Sequence, residues 1–215
     1  MKYITAVVLS LILMSFSSLQ QQDYTVNDPE AEKLIKDVSA KFKSYKNIKA
    51  DFSLTIKEPE GDWIDEKIGI VHLEGDKFKI EMDEYKITCD GKTSWMYSPA
   101  SNEVQISYFE LEEDMFTPSQ IFDIYSEKYN FRVKSKSGDQ VTIELTPIDK
   151  EQSFFKIDML ILTSKKEIVS CKIYEKSGMR YLYTLSNLDT NLELQDAFFV
   201  FDSSIYPEIE IIDLR

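Results

Sequence analysis

The chain has 215 residues, 43% of them hydrophobic and 13% aromatic, with a formal net charge of −13. This length allows one domain with a sizeable core. Such an acid surplus excludes attraction to nucleic acid or to anionic membranes through overall charge, and it favours solubility.

The first segment reads apart from the fold. Lys2 gives a short positive start, Ile4 to Met14 is almost wholly apolar, and Ser15, Ser17 and Ser18 follow. This pattern predicts a secretory signal peptide over residues 1–18, too short for a transmembrane span and cleaved near Ser17 to Gln20. No cysteine follows the apolar run, so a lipid-anchored terminus is not expected, and the periplasm is the expected destination. Residues 19–215 read as a single domain without repeat, linker or low-complexity tract.

Helix is the first element. Asp28-Pro29 is an N-cap followed by proline at the first helical position. Ala31, Leu34, Ile35, Val38, Phe42 and Tyr45 then recur at three- and four-residue spacing, opposite Lys33, Lys36, Asp37, Lys41 and Lys43. A meander of short strands follows. Ala50 to Lys57 alternates, with Phe52, Leu54 and Ile56 on one face. Ile64 to Leu73 comes next, and Gly75-Asp76 turns the chain into Phe78, Ile80 and Met82. Asp90-Gly91 is a tight hairpin signal between Ile87-Thr88-Cys89 and Trp95-Met96-Tyr97. That second run is apolar on both faces, so alternation leaves its inward side open. Asn102 to Phe109 completes the first half.

An acidic loop, Glu110 to Asp114, precedes a second helix over 117–129, started by Thr117-Pro118 and carrying Ile121, Phe122, Ile124, Tyr125 and Tyr129. Strands resume at Phe131 to Lys136, Gln140 to Pro147, Phe154 to Leu162, Glu167 to Tyr174 and Met179 to Leu188. The apolar run Phe198 to Phe201 and an extended tail with Ile209, Ile211 and Ile212 end the chain. The expected fold is therefore α+β and mainly β: a curved antiparallel sheet of about 10–11 strands with two to three helices. A sheet that curls without closing leaves a trough, and amphipathic helices laid over it would make a lid above an apolar cavity.

Motifs of catalysis are missing. His72 is the one histidine, without a nucleophile elbow, and neither a phosphate loop nor a dinucleotide fingerprint is present. The carboxylate groups Asp62/Asp65, Asp83-Glu84 and Glu112-Glu113-Asp114 read as solvated surface of an acidic chain. Cys89 and Cys171 match neither a CxxC redox motif nor a zinc site. They form a disulfide if their strands are adjacent, and otherwise are two small buried side chains. No enzyme activity, cofactor or metal is expected.

Several segments resemble the periplasmic outer-membrane lipoprotein carrier family, LolA. They are the helix ending in Tyr45-Lys46-Asn47-Ile48-Lys49-Ala50-Asp51-Phe52, the segment Cys89-Asp90-Gly91-Lys92-Thr93-Ser94-Trp95-Met96-Tyr97-Ser98-Pro99, the Thr117-Pro118 helix, and the ending Phe199-Val200-Phe201 with Tyr206-Pro207-Glu208 and Ile211-Ile212-Asp213. The resemblance spans essentially all of residues 19–215. It implies an unclosed β-barrel under helices, and a monomer that receives acylated lipoproteins from an inner-membrane ATP-driven transporter and hands them to an outer-membrane acceptor. Phe52, Leu54, Ile56, Phe78, Ile80, Met82, Trp95 and Tyr97 on strands, and Ile121, Phe122 and Tyr125 on a helix, are expected to line the cavity. Family members often carry an arginine shortly before an aromatic in the third strand, where it latches lid to barrel. Here Glu74-Gly75-Asp76-Lys77 precedes Phe78, so Lys77 or another contact would have to substitute. The alternative is a binding protein of the same shape for another lipid, a glycolipid or an envelope-stress ligand.

Overall fold

The computed structural model describes residues 28–109 and 128–215. Helix α1 (Pro29–Lys43) begins at the cap read from the sequence: Asp28 Oδ1 accepts the Glu30 N–H at 2.9 Å, and Pro29 stands where a missing N–H removes no helical bond. Ala31, Ile35, Val38 and Phe42 form one buried stripe. The cap also ties the helix to the sheet, because Asp28 N–H donates to Phe131 O at 2.9 Å and Val133 N–H donates to Asp28 Oδ2 at 3.3 Å. Burial opposes ionisation of Asp28, yet the N–H groups of Glu30, Val133 and Ala31 and the charge of Lys136 hold its carboxyl below the usual range.

Twelve strands follow: β1 (Ile48–Lys57), β2 (Trp63–Glu74), β3 (Lys77–Met82), β4 (Lys86–Cys89), β5 (Thr93–Ser98), β6 (Glu103–Tyr108), β7 (Tyr129–Ser137), β8 (Gln140–Pro147), β9 (Phe154–Leu162), β10 (Glu167–Glu175), β11 (Arg180–Thr190) and β12 (Glu210–Asp213). They form one sheet in the order β12-β6-β5-β4-β3-β2-β1-β11-β10-β9-β8-β7. The sheet does not close, since β12 and β7 are its two edges. Every pair is antiparallel except β12 with β6, which is parallel. The long connection after Thr190 brings β12 beside β6 in that direction.

The mainly β, unclosed architecture agrees with the sequence, and three details differ. The tail supplies a twelfth strand. Of the apolar run Phe198 to Phe201, Phe198 and Phe199 lie in a short 3-10 turn, Asp196–Phe199, and a second such turn, Ser203–Ile205, follows, an ambiguity inherent in short apolar runs. Among the described residues there is one α-helix rather than two or three. Of the helix expected over 117–129, residues 117–127 lie outside the described residues, and Tyr129 opens β7 instead.

Residues paired across antiparallel strands share a face, so the registers divide the sheet into two sides. The inner side carries Ile48, Ala50, Val71, Leu73, Phe78, Cys89, Ile143, Leu145, Ile157, Met159, Cys171 and Ile173, and together with α1 these make one buried cluster. Tyr97, Val104 and Phe199 are equally buried but stand outside that cluster. They belong to a second core on the outer side, where the segment Asp196–Tyr206 covers β2 to β6. There Tyr97 packs against Tyr206 at 4.3 Å and Phe201 at 5.8 Å, and Phe198 meets His72 edge-on at 4.8 Å.

Candidate functional site

Burial changes along the inner-facing rows of β1, β3 and β4, whereas those of β8, β9 and β10 stay buried throughout. On β1, Ile48 and Ala50 are buried, whereas Phe52, Leu54 and Ile56 are only half-buried. On β3, Phe78 is buried and Ile80 and Met82 are half-buried; on β4, Cys89 is buried and Ile87 is not. On β11, Tyr181, Tyr183 and Leu185 face Ile56, Leu54 and Phe52 directly and share their intermediate exposure. From β11 to β4 the inner side is thus closed at the end under α1 and opens toward the β1–β2 turn as a wall of apolar and aromatic side chains, while Ile157 and Ile173 beside it remain buried.

Two local features shape this wall. Gly69 stands opposite Phe52 and Met82 in the β1–β2 and β2–β3 registers. A Cβ there would lie 2.9 Å from Phe52 Cε1 and 2.9 Å from Met82 Cγ, and closer still to Glu81 O, so only glycine lets the two side chains meet over the strand. Beyond it, β2 turns charged: Lys67 faces Leu54 and Asp65 faces Ile56, and Lys67 forms ion pairs with Glu84 and, at 3.5 Å, with Asp65. The apolar wall therefore ends in a charged rim.

The wall is buried where it meets the core. Burial pushes the Tyr183 hydroxyl up to about 12, with the Cys171 thiol across the β10–β11 ladder adding to it. Burial pushes Cys171 itself up to about 12 and Cys89 to about 11. Both thiols are free and four strands separate β4 from β10, so the second of the two cysteine readings holds. Such protonated thiols are inert side chains of the wall.

Six of the expected cavity residues come together on this side: Phe52, Leu54, Ile56, Phe78, Ile80 and Met82. Phe78 sits at the closed end, edge-on to Phe109 at 5.3 Å. Trp95 and Tyr97 are placed on the opposite side. Thr88 faces Trp95 and Lys86 faces Tyr97, and those β4 residues alternate with the inner-facing Ile87 and Cys89. Met96, between them, takes the inner side and is 38% exposed. Ile121, Phe122 and Tyr125 lie outside the described residues. Lys77 faces outward, paired with Asp196 at 3.1 Å and Glu74 at 3.7 Å, so it does not stand at the inner wall as a latch would.

Tyr181, Tyr183, Leu185 and Ile87 were not singled out from the sequence. Alternation groups Tyr181, Tyr183 and Leu185 on one face, opposite Leu182 and Thr184, and the register against β1 places that face beside Ile56, Leu54 and Phe52.

A concave, mostly apolar surface of this kind is where ligand sites are commonly built. The model of the family described as "Outer membrane lipoprotein carrier protein LolA" matches residues 43–202, and the chain belongs to that family. An outer-membrane lipoprotein carrier protein of Vibrio campbellii is 29% identical over 155 residues, 69% of this chain and 72% of the relative. One of Psychromonas ingrahamii is 26% identical over 215 residues, 97% of this chain and 98% of the relative. Among solved structures, an uncharacterized conserved protein of Thermus thermophilus shares the fold, with a TM-score of 0.55 at 11% identity over 84% of this chain and 98% of that chain.

Proposed function

We propose that the chain is a periplasmic carrier that binds the acyl chains of outer-membrane lipoproteins against this half-open wall and moves them from the inner to the outer membrane. An inner-membrane ATP-driven transporter would load it and an outer-membrane acceptor would unload it. The exposure gradient along Ile48, Ala50, Phe52, Leu54 and Ile56 carries the reading, because a packed core has no reason to leave its inward row half-open at one end. Family membership and the carrier relatives support it. No covalent step is required of any residue.

The magnitudes suit a shuttle. Complete burial of a sixteen-carbon chain is worth on the order of 12 kcal/mol at about 0.8 kcal/mol per methylene. The row from Phe52 to Ile56 spans only about 13 Å at the rise of a strand. Covering half of one chain gains about 6 kcal/mol, which corresponds to dissociation between millimolar and micromolar. Binding of that strength holds cargo in water and still releases it to an acceptor with a better-closed cavity.

Native mass spectrometry of the chain purified from a bacterial envelope tests the reading. Copurified diacyl or triacyl polypeptide is expected. A free phospholipid or glycolipid in its place would transfer the site to another ligand, and an empty protein that takes up no triacylated peptide would overturn it.

A further inference from the structure

The outer side of β7 to β11 and β1 has a charge opposite to that of the chain as a whole. In register across four strands stand Lys57, Arg180, Tyr174 and Lys156. The adjacent row brings Lys172, Asp158, Glu144 and Arg132 to the same side, and Lys134 reaches in from the β7 bulge to Asp158 at 2.6 Å. Six cations thus share a face with two carboxylates, in a chain whose net charge is −13. Further acids stand at its rim: Glu66 beyond Thr55, and Glu58 and Glu175, which follow Lys57 and Tyr174 in the chain.

Both carboxylates are already engaged. Asp158 Oδ2 also accepts from the Tyr174 hydroxyl at 2.6 Å, and Glu144 is paired with Arg132 at 2.6 Å and Lys156 at 3.9 Å. Three cations crowd one ring: Lys156, Arg180 and Lys172 lie 4.0, 5.0 and 5.2 Å from the centroid of Tyr174. Arg180 also lies 5.6 Å from the ring of Phe155, which is 44% exposed. Burial, reinforced by Lys134, Lys57 and Arg180 against Asp158, holds the Lys172 pKa down.

Cations interleaved with an exposed aromatic are the composition that meets lipid headgroups, with the ring at the acyl boundary and the charges at the phosphates. The acid elsewhere in the chain does not cancel this attraction, because charges farther than about 8 Å are largely screened at physiological salt. From this juxtaposition we infer that the outer face of β9, β10, β11 and β1 is a docking surface for an anionic phospholipid bilayer, built around Phe155, Lys156, Lys172, Arg180 and Lys57. The surface lies on the side of the sheet opposite the apolar wall, so the carrier can rest on a membrane while the wall stays available. Overall charge predicts repulsion; the local arrangement reverses it.

Flotation of the cargo-free chain with vesicles is the test. Phosphatidylglycerol–phosphatidylethanolamine vesicles are expected to bind it at low salt and release it at high salt, while phosphatidylcholine vesicles do not bind it. Capture of a lipid tail by the apolar wall would ignore headgroup charge and salt, so the two sites are distinguishable. Lys57→Gln and Lys156→Gln should each weaken binding about fivefold, and Phe155→Ser should weaken it further. Equal binding to both vesicle types, or binding indifferent to salt, overturns the proposal. So does binding to polyglutamate without binding to vesicles, which would assign the surface to an acidic protein partner. If the substituted chains fail to fold, the headgroup and salt comparison on the unaltered chain decides alone.

Discussion

Phe52 faces Gly69 across the β1–β2 ladder, and the missing side chain of Gly69 is what gives the Phe52 ring its place beside Met82. Gly69→Ala must push either ring or strand aside, because the added carbon meets the Glu81 carbonyl as well as both side chains. The expected cost is about 1–3 kcal/mol, read as a lower urea midpoint. Because the strain falls on the wall, affinity for a fluorescent fatty acid should fall in the same variant. A wild-type midpoint and affinity would show that the ladder has room.

Asn47 holds the connection from α1 to β1 against the segment that leaves β11. Leu192 N–H donates to its Oδ1 at 2.7 Å, while its Nδ2 donates to Leu192 O at 2.9 Å and to Glu74 Oε2 at 3.1 Å. The residue is almost wholly buried. Asn47→Ala leaves these partners unsatisfied and should cost about 2–3 kcal/mol. The outer core should loosen first, since Leu192 leads into the segment that covers Tyr97. Hydrogen exchange at Phe198 to Phe201 should then rise before that at Ile143 or Met159.

His72 makes stability depend on pH. It is buried against Phe198, and its Nδ1 lacks a partner among the described residues. Burial holds its pKa below the ordinary 6.5; Glu81 opposes this, and Lys49 and Lys79 add to it. As pH falls through the ordinary value, the unfolded chain takes up the proton first. Stability is therefore full above that pH and declines below it. Urea midpoints measured from about pH 7.5 down to about pH 5 should decline, and His72→Phe should flatten that slope. An unchanged slope would assign the titration to another group.

The sequence carried most of the strand plan. Clean alternation in Phe52-Ser53-Leu54-Thr55-Ile56 and in Phe78-Lys79-Ile80-Glu81-Met82 groups the residues that share the inner side, because the other face is polar. Trp95-Met96-Tyr97 offered no such contrast. The reason is physical: Tyr97 is buried on the outer side by the cover of Phe201 and Tyr206, while Met96 stands exposed on the inner side. A cover that arrives from far along the chain leaves no local signal. The cationic face was hidden for another reason: its charges come from six strands, and a net charge averages them away.

Phe78 is too buried to test the wall by a charge, since a glutamate there would be an unpaired charge in the core and would unfold the chain. Neighbouring positions on β1 serve better. Leu54 points to the half-open inner side and Ser53 to the outer side of the same strand. The most direct measurement is the affinity for a triacylated peptide of Leu54→Glu beside Ser53→Glu, in proteins shown to be equally folded. The account predicts at least a tenfold loss for Leu54→Glu, equivalent to about 1.4 kcal/mol, and wild-type affinity for Ser53→Glu. Undiminished binding by Leu54→Glu, or equal losses in the two variants, would contradict it.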